Sequence, residues 1–248
     1  MPGMKTTRAQ HATKAAKAER RARRSGKDRS RRGQGDWEIL PLGGAVDPAM
    51  MRRAMEAFAG FDPNGPWPEV APSILPLLKR VRHPFPAQAA PIHLRVPPGV
   101  WTGFGIDVGP MWAHVSRELQ TRWGIDDATL LGTALENLRR RVVDEPPAVE
   151  SATWRGTPMT VVQAQGWGSA LILAPDRLGP ILGDEPRTLL TPVRNALICL
   201  PDDVDMDLAV AVWEVFAEGS TDELDIDPLR WAGSTVVAYD DEPSSLLD

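Results

Sequence analysis

The sequence predicts an α+β fold, a mixed or antiparallel sheet packed by helices and preceded by a disordered basic leader. Three observations predict it. Short strand-like runs alternate with helical ones along the chain, and several meet across tight Gly-containing turns that join antiparallel neighbours. The stretch 128–142 places Leu131, Ala134, Leu135, Leu138 and Val142 at helical spacing, and Leu208–Phe216 is a helix-length apolar run. Finally, residues 1–33 hold 12 Lys/Arg against 2 Asp/Glu, a net charge of +10, whereas 34–248 hold 16 against 31, a net of −15. A segment so charged and so poor in large apolar groups cannot offset its chain entropy by burial.

The organisation follows in order. Residues 1–36 form the basic tail, whose Ala9–Arg24 stretch is rich in helix formers and gains order when a polyanion neutralises it. Residues 37–91 read as a helical, Pro-rich segment. Within it Trp37–Leu40 is a short strand, and Asp47-Pro48 starts a helix over about 48–59 with Met51, Ala54, Met55 and Phe58 inward. Phe61–Pro72 is a loop, and Ser73 caps a helix through about Arg82 that buries Ile74, Leu77, Leu78 and Val81. Pro84, Pro86 and Pro91 then make an extended connector. Residues 92–240 are the α+β domain, and 241–248 a loose acidic end.

Within that domain Ile92–Val96 alternates as a half-buried strand with His93 on its polar side, and Val100–Val108 is extended beside it. Asp127 caps the helix over 128–142, and Arg139, Arg140 and Arg141 complement its C-terminal dipole or bind an anion. Ser151–Arg155 and Met159–Gln165 make a hairpin around Gly156-Thr157-Pro158. Pro175–Leu182 is a short helix weakened by Gly179 and Pro180. Thr188–Leu190 and Asn195–Leu200 are strands, the second apolar enough to be central. Asp205 caps Leu208–Phe216, which must be buried on most sides, and Leu229–Trp231 with Thr235–Tyr239 closes the chain as a hairpin. The nine Trp read first as packing groups, since an indole buries much area.

Two stretches resemble the uncharacterised YtpQ family of bacterial proteins. Val115–Ile125 followed by Ala134-Leu135-Glu136-Asn137-Leu138 is similar to a short helix ending in Trp-Gly, then a helix ending in Ala-x-x-Asn-Leu. Leu190–Ile198 is similar to a Pro-Asn-Arg segment leading into an apolar strand, with Val193 where Asn is usual. The resemblance covers about 92–217 and implies a fold and a bacterial cytosolic setting, without an activity.

The same residues have direct physical readings. Trp123-Gly124 stops a short helix, its indole covering the next. Asn137, in mid-helix, either braces a neighbouring backbone or meets a ligand. Arg194 forks onto a carboxylate such as Asp202, or binds a ligand's anion, with Asn195 beside it.

Several chemistries are missing from the pattern. There is no Gly-x-x-x-x-Gly-Lys-Ser/Thr loop, no Gly-x-Gly-x-x-Gly and no Gly-x-Ser-x-Gly elbow. His11, His83, His93 and His114 form no metal-spaced pair, and one cysteine, Cys199, allows neither an internal disulfide nor a Cys-rich zinc site. The run Asp222–Asp227 lacks the glycine and closing glutamate of a calcium loop. No cofactor or metal is expected. No apolar stretch reaches membrane-spanning length and no apolar run follows the basic start, so the expectation is a soluble cytoplasmic chain.

Three functions remain. The first is a non-enzymatic binding module whose tail contacts nucleic acid or the ribosome through Lys14, Lys17, Arg20, Arg21, Arg23, Arg24, Lys27, Arg29, Arg31 and Arg32. The second is a hydrolase- or transferase-like enzyme with a small-ligand pocket near Arg194, lined by Asn195, Trp123, Asn137 and His114. The third makes exposed Trp, Leu and Val an interface of a homo-oligomer.

Overall fold

The structure, a computed structural model, describes Arg52, Asp62 and residues 64–78, 91–108, 112–218, 220 and 222–239. The expected strand at 37–40, the basic tail, the Pro84–Pro86 connector and the acidic end lie outside these residues, as does the helix at 48–59 apart from the helical Arg52.

The fold is α+β, with two antiparallel sheets. Four strands make the smaller sheet: β1 (Ile74–Leu78), β2 (Leu94–Val96), β3 (Val100–Asp107) and β4 (Trp112–His114). The long β3 pairs with β1 along one side, and with β2 and then β4 along the other. The larger sheet has six strands in the order β10-β9-β7-β8-β6-β5. These are β5 (Ala148–Trp154), β6 (Thr157–Gln163), β7 (Arg187–Val193), β8 (Ala196–Pro201), β9 (Leu229–Trp231) and β10 (Val236–Ala238).

Among the described residues these helices accompany them: α1 (Trp67–Val70), α2 (Arg117–Trp123), α3 (Asp127–Asp144), α4 (Pro175–Leu182) and α5 (Met206–Ala217). The expected loop at 61–72 thus contains a helical turn, opened by prolines in its first positions. The expected helix from Ser73 is instead strand β1. Its five residues are all buried, and a short run with no polar position suits a strand covered on both faces as well as a helix. Pro76, which cannot donate a ladder bond, fits because β1 is an edge strand.

The strongest predicted helix is present and slightly longer than expected. Its N-cap is Asp126, whose carboxylate accepts from the Thr129 amide at 2.7 Å, so the cap falls one residue before the predicted Asp127. Leu130, Ala134, Asn137 and Leu138 are its buried residues, while Leu131, Leu135 and Val142 pack half-buried on the cores. The preceding α2 ends at Gly124, whose φ of 67° makes the expected left-handed cap.

The β5–β6 hairpin turns at Arg155-Gly156, with φ of 49° and 85°, rather than across Gly156–Pro158. A buried 3-10 segment, Gly168–Leu173, follows it, and no periodicity in the sequence marks it. Helix α5 corrects an expectation. Only Ala209, Val212 and Ala217 are fully buried, and Val210, Trp213 and Phe216 are half-exposed, because the helix lies across β7 on one side only.

The main core joins both sheets. Leu75 and Leu78 of β1 meet Leu189, Leu197, Cys199 and Trp231 of the large sheet, with Leu171, Ile172 and Leu178 between. A second cluster under the small sheet holds Ile74, Ile92, Phe104, Ile106, Val115 and Leu130. At about 25 cal/mol per Å² of apolar surface, such burial is the dominant favourable contribution to folding.

Candidate functional site

The five body residues singled out from sequence sit on four elements, and most of their polar atoms are used by the chain. Asn137 is 6% exposed on α3. Its Nδ2 donates to the carbonyls of Ala71 (2.7 Å) and Ile74 (2.8 Å), and its Oδ1 accepts from Arg140 at 2.8 Å. Arg140 also donates to the Pro72 carbonyl at 3.0 Å. Together the two side chains tie α3 to the 3-10 turn Ala71–Ser73 that leads into β1, which is the bracing alternative.

Trp123 at the end of α2 donates its Nε1 to the Gly65 carbonyl at 2.9 Å, and its ring lies 5.3 Å from that of Trp67 at 51°. The indole is thus tied to the segment around α1, and it also packs on the cluster that holds Leu130 and Ala134 of the following helix. Aromatic pairs in such tilted contact add on the order of 0.5–1.5 kcal/mol to their burial.

Arg194 and Asn195 form the turn between β7 and β8. Asn195 Oδ1 accepts from the Gly166 amide at 2.7 Å, and its carbonyl accepts from Ala164 at 3.0 Å. Arg194 gives its carbonyl to the Ser169 amide at 3.0 Å. Its guanidinium faces Asp222 at 3.7 Å, and its buried Nε has no hydrogen-bond partner among the described residues. The expected fork onto Asp202 is made by Arg230 instead, at 2.7 Å and 2.5 Å. The reason is topological: Arg194 precedes β8 and Asp202 follows it, so the six-residue strand, roughly 20 Å long at 3.3 Å per residue, lies between them. Pairing of β9 with β7 sets Arg230 opposite Thr188, at the Asp202 end. The Asp202 hydrogen bonds hold the Arg230 guanidinium above its ordinary pKa.

His114 is exposed on β4, opposite Gly105 of β3. Next to it, Trp112 occupies a slot the sequence did not signal. A Cβ on Gly105 would stand 2.7 Å from its ring and 2.5 Å from Leu77 Cδ1, and a Cβ on Gly166 would stand 2.7 Å from the opposite part of the ring. Two glycines distant in sequence thus accommodate one indole, which bridges β3 and the loop that Asn195 pins.

The Arg triplet of α3 divides its work. Arg139 pairs with Asp176 at 3.1 Å, Arg140 serves the turn as described, and Arg141 bridges Asp107 and Glu145, the latter at 2.9 Å. Burial alone would lower the Arg141 pKa, but the Glu145 hydrogen bond and the two carboxylate charges raise it. Arg140, Arg141 and Glu145, with Pro72, Leu75, Asn137 and Asp144, line a cleft of about 200 Å³. Its two guanidiniums stand against Asp144 and Glu145, so it offers no surplus positive charge to an anion. Asp127, displaced from capping, accepts from Arg117 and from Gln120 (2.9 Å), bonds that lower its pKa. A second hollow, of about 280 Å³, lies over the β5–β6 hairpin and is lined by Ser151, Thr153, Pro158, Thr160 and Arg187 among others.

Cys199 is buried, and burial pushes its thiol up to about 12. Among the described residues no group of three or more His, Cys, Asp or Glu is placed to hold a metal ion, and no helix is long and apolar enough to cross a membrane. The cationic residues Lys14, Lys17, Arg20, Arg21, Arg23, Arg24, Lys27, Arg29, Arg31 and Arg32 lie outside the described residues. Comparison of the chain with protein-family models, with curated proteins and with solved structures finds no match in any of the three.

Proposed function

We propose that this protein is a non-catalytic binding module whose cationic N-terminal segment contacts nucleic acid or the ribosome. The observation that carries the reading is the charge split, +10 over residues 1–33 and −15 over the rest. Lys and Arg at that density, without aromatic residues among them, suit phosphate contact by counterion release rather than base reading. Support also comes from the body, where Asn137, Asn195 and Trp123 bind the chain's own backbone. The alternative, a hydrolase- or transferase-like enzyme with a pocket near Arg194, draws chiefly on that one guanidinium. Membership of the YtpQ family and a bacterial cytosolic setting belong to the same proposal, resting on Val115–Ile125, Ala134–Leu138 and Leu190–Ile198.

The test is a filter-binding titration of the full chain with duplex DNA and with structured RNA across a salt series. Binding is expected to fall steeply with salt, log K against log[salt] having a slope on the order of −0.9 per phosphate neutralised on DNA. Replacing Arg20, Arg21, Arg23 and Arg24 by Gln should flatten that slope by about 3–4 units. A salt-insensitive affinity untouched by these substitutions would refute the proposal.

A further inference from the structure

The outer edge of the six-stranded sheet is self-complementary. Strand β5 ends the sheet and, among the described residues, pairs with β6 alone. Ala148, Val149, Glu150, Ser151 and Thr153 on it are exposed, Val149 at 48%. A long edge with few charges is an open template for another strand, and proteins normally blunt such edges with Lys, Pro or bulges. Here one ionisable residue, Glu150, lies on the seven-residue strand.

The register of the free edge follows from the hairpin. Trp154 and Thr157 close a two-residue turn, and the closing pair of such a turn exchanges both backbone hydrogen bonds. Hydrogen-bonded and non-hydrogen-bonded pairs then alternate. Trp154, Ala152, Glu150 and Ala148 therefore direct their amides and carbonyls to β6. Thr153, Ser151 and Val149 direct theirs outward, away from the sheet.

We infer that β5 pairs antiparallel with β5 of a second copy of this chain, about a two-fold axis at Ser151, to form a continuous twelve-stranded sheet across a dimer. In that register Ser151 faces Ser151, Val149 faces Thr153, and Glu150 faces Ala152. The outward-directed groups coincide with those that must bond, giving roughly six inter-copy backbone hydrogen bonds. No carboxylate directly faces its like. The two Glu150 residues fall on the diagonal, about 7–8 Å apart at Cα, where salt screens their repulsion.

Side chains support the same register. The row Ser151–Thr160–Cys199–Leu189–Leu229 runs across the sheet, so Val149, Ser151 and Thr153 point to the face that carries the main core. The hollow lined by Ser151, Thr153, Pro158 and Thr160 opens on that face. Pairing about Ser151 sets the partner's exposed Val149 directly beside Thr153, at the rim of this hollow. The two-fold axis repeats the contact, an apolar knob and a recess in each copy, as an isologous interface requires. An edge contact is smaller than the 1,200–2,000 Å² or so of stable complexes, so the dimer is concentration-dependent.

Light scattering on the full chain, from about 5 to about 200 µM, tests it. The mass should rise from 27.1 kDa toward twice that value, and rise no less at high salt. Ser151→Lys sets two ammonium groups face to face on the axis and should hold the mass at the monomer value, with an unchanged circular dichroism melt. Ser151→Cys should give a disulfide-linked dimer under oxidation, whereas the buried Cys199 of the unchanged chain should give none. A monomer at every concentration, or a dimer indifferent to Ser151→Lys, would overturn the inference. So would a monomer whose Val149–Thr153 amides gain exchange protection only on adding an extended peptide from another protein, which would assign the edge to a foreign strand.

Discussion

Asn137 shows how a residue declares its role before its partners are known. An amide in the middle of an otherwise apolar helix stripe is unfavourable unless its hydrogen bonds are made, and here they are made to Ala71, Ile74 and Arg140. Asn137→Ala removes the donors from two carbonyls and leaves a small void. The expected cost is about 2–3 kcal/mol, seen as a lower urea midpoint at unchanged slope. Asn137→Asp keeps the shape but sets a carboxylate against those carbonyls, so it should cost at least as much. Arg194 was less legible. An arginine before a buried strand needs a carboxylate, but which one depends on the strand that arrives alongside. Asp202 lies close in sequence and goes to Arg230, while Asp222 lies near Arg194 in space. Sequence distance along an extended strand is real distance, and the 201-residue end of β8 is far from its 196-residue end.

At the level of elements, the helices and strands with a clear period were readable, and the ambiguous ones were those without a period. Helix α3 was legible because its apolar positions recur at helical spacing and a carboxylate precedes them. The hairpin of β9 and β10 was legible from two apolar runs around a glycine. Strand β1 was not, since Ile74-Leu75-Pro76-Leu77-Leu78 is apolar throughout and periodicity cannot assign it. The outer side of α5 is more exposed than its composition suggests for a related reason: composition says that a helix is apolar, not how many sides its neighbours cover. Glycines carry a further layer that spacing does not reveal. Gly105 on β3 leaves room for Trp112 and Leu77, whereas Gly132 on α3 faces open space. Gly105→Ala is therefore expected to destabilise by about 1–3 kcal/mol through overpacking, and to alter the tryptophan fluorescence. Gly132→Ala should stabilise by about 0.5–1 kcal/mol, because it adds helix propensity without a clash. Thermal melts of the two variants check both signs.

For the whole molecule, the tail and the sheet edge act on the same quantity if both proposals hold. A dimer presents two cationic segments to one polyanion, and the second contact is then made at an effective concentration far above that of the free protein. Long nucleic acid should be bound more tightly than the sum of two independent tails allows, while an oligonucleotide too short to reach both tails should not. Ser151→Lys separates the two cases. It leaves residues 1–33 intact and adds one positive charge, so a purely electrostatic account predicts slightly tighter binding to every ligand. Loss of the dimer predicts the opposite for long ligands, an apparent affinity about 10–100-fold lower, with the short oligonucleotide unchanged. Filter binding of the two ligand lengths, with and without the substitution and at one salt concentration, distinguishes them. A parallel shift for both lengths would show that the tail works alone and that the edge of β5 contributes nothing to it.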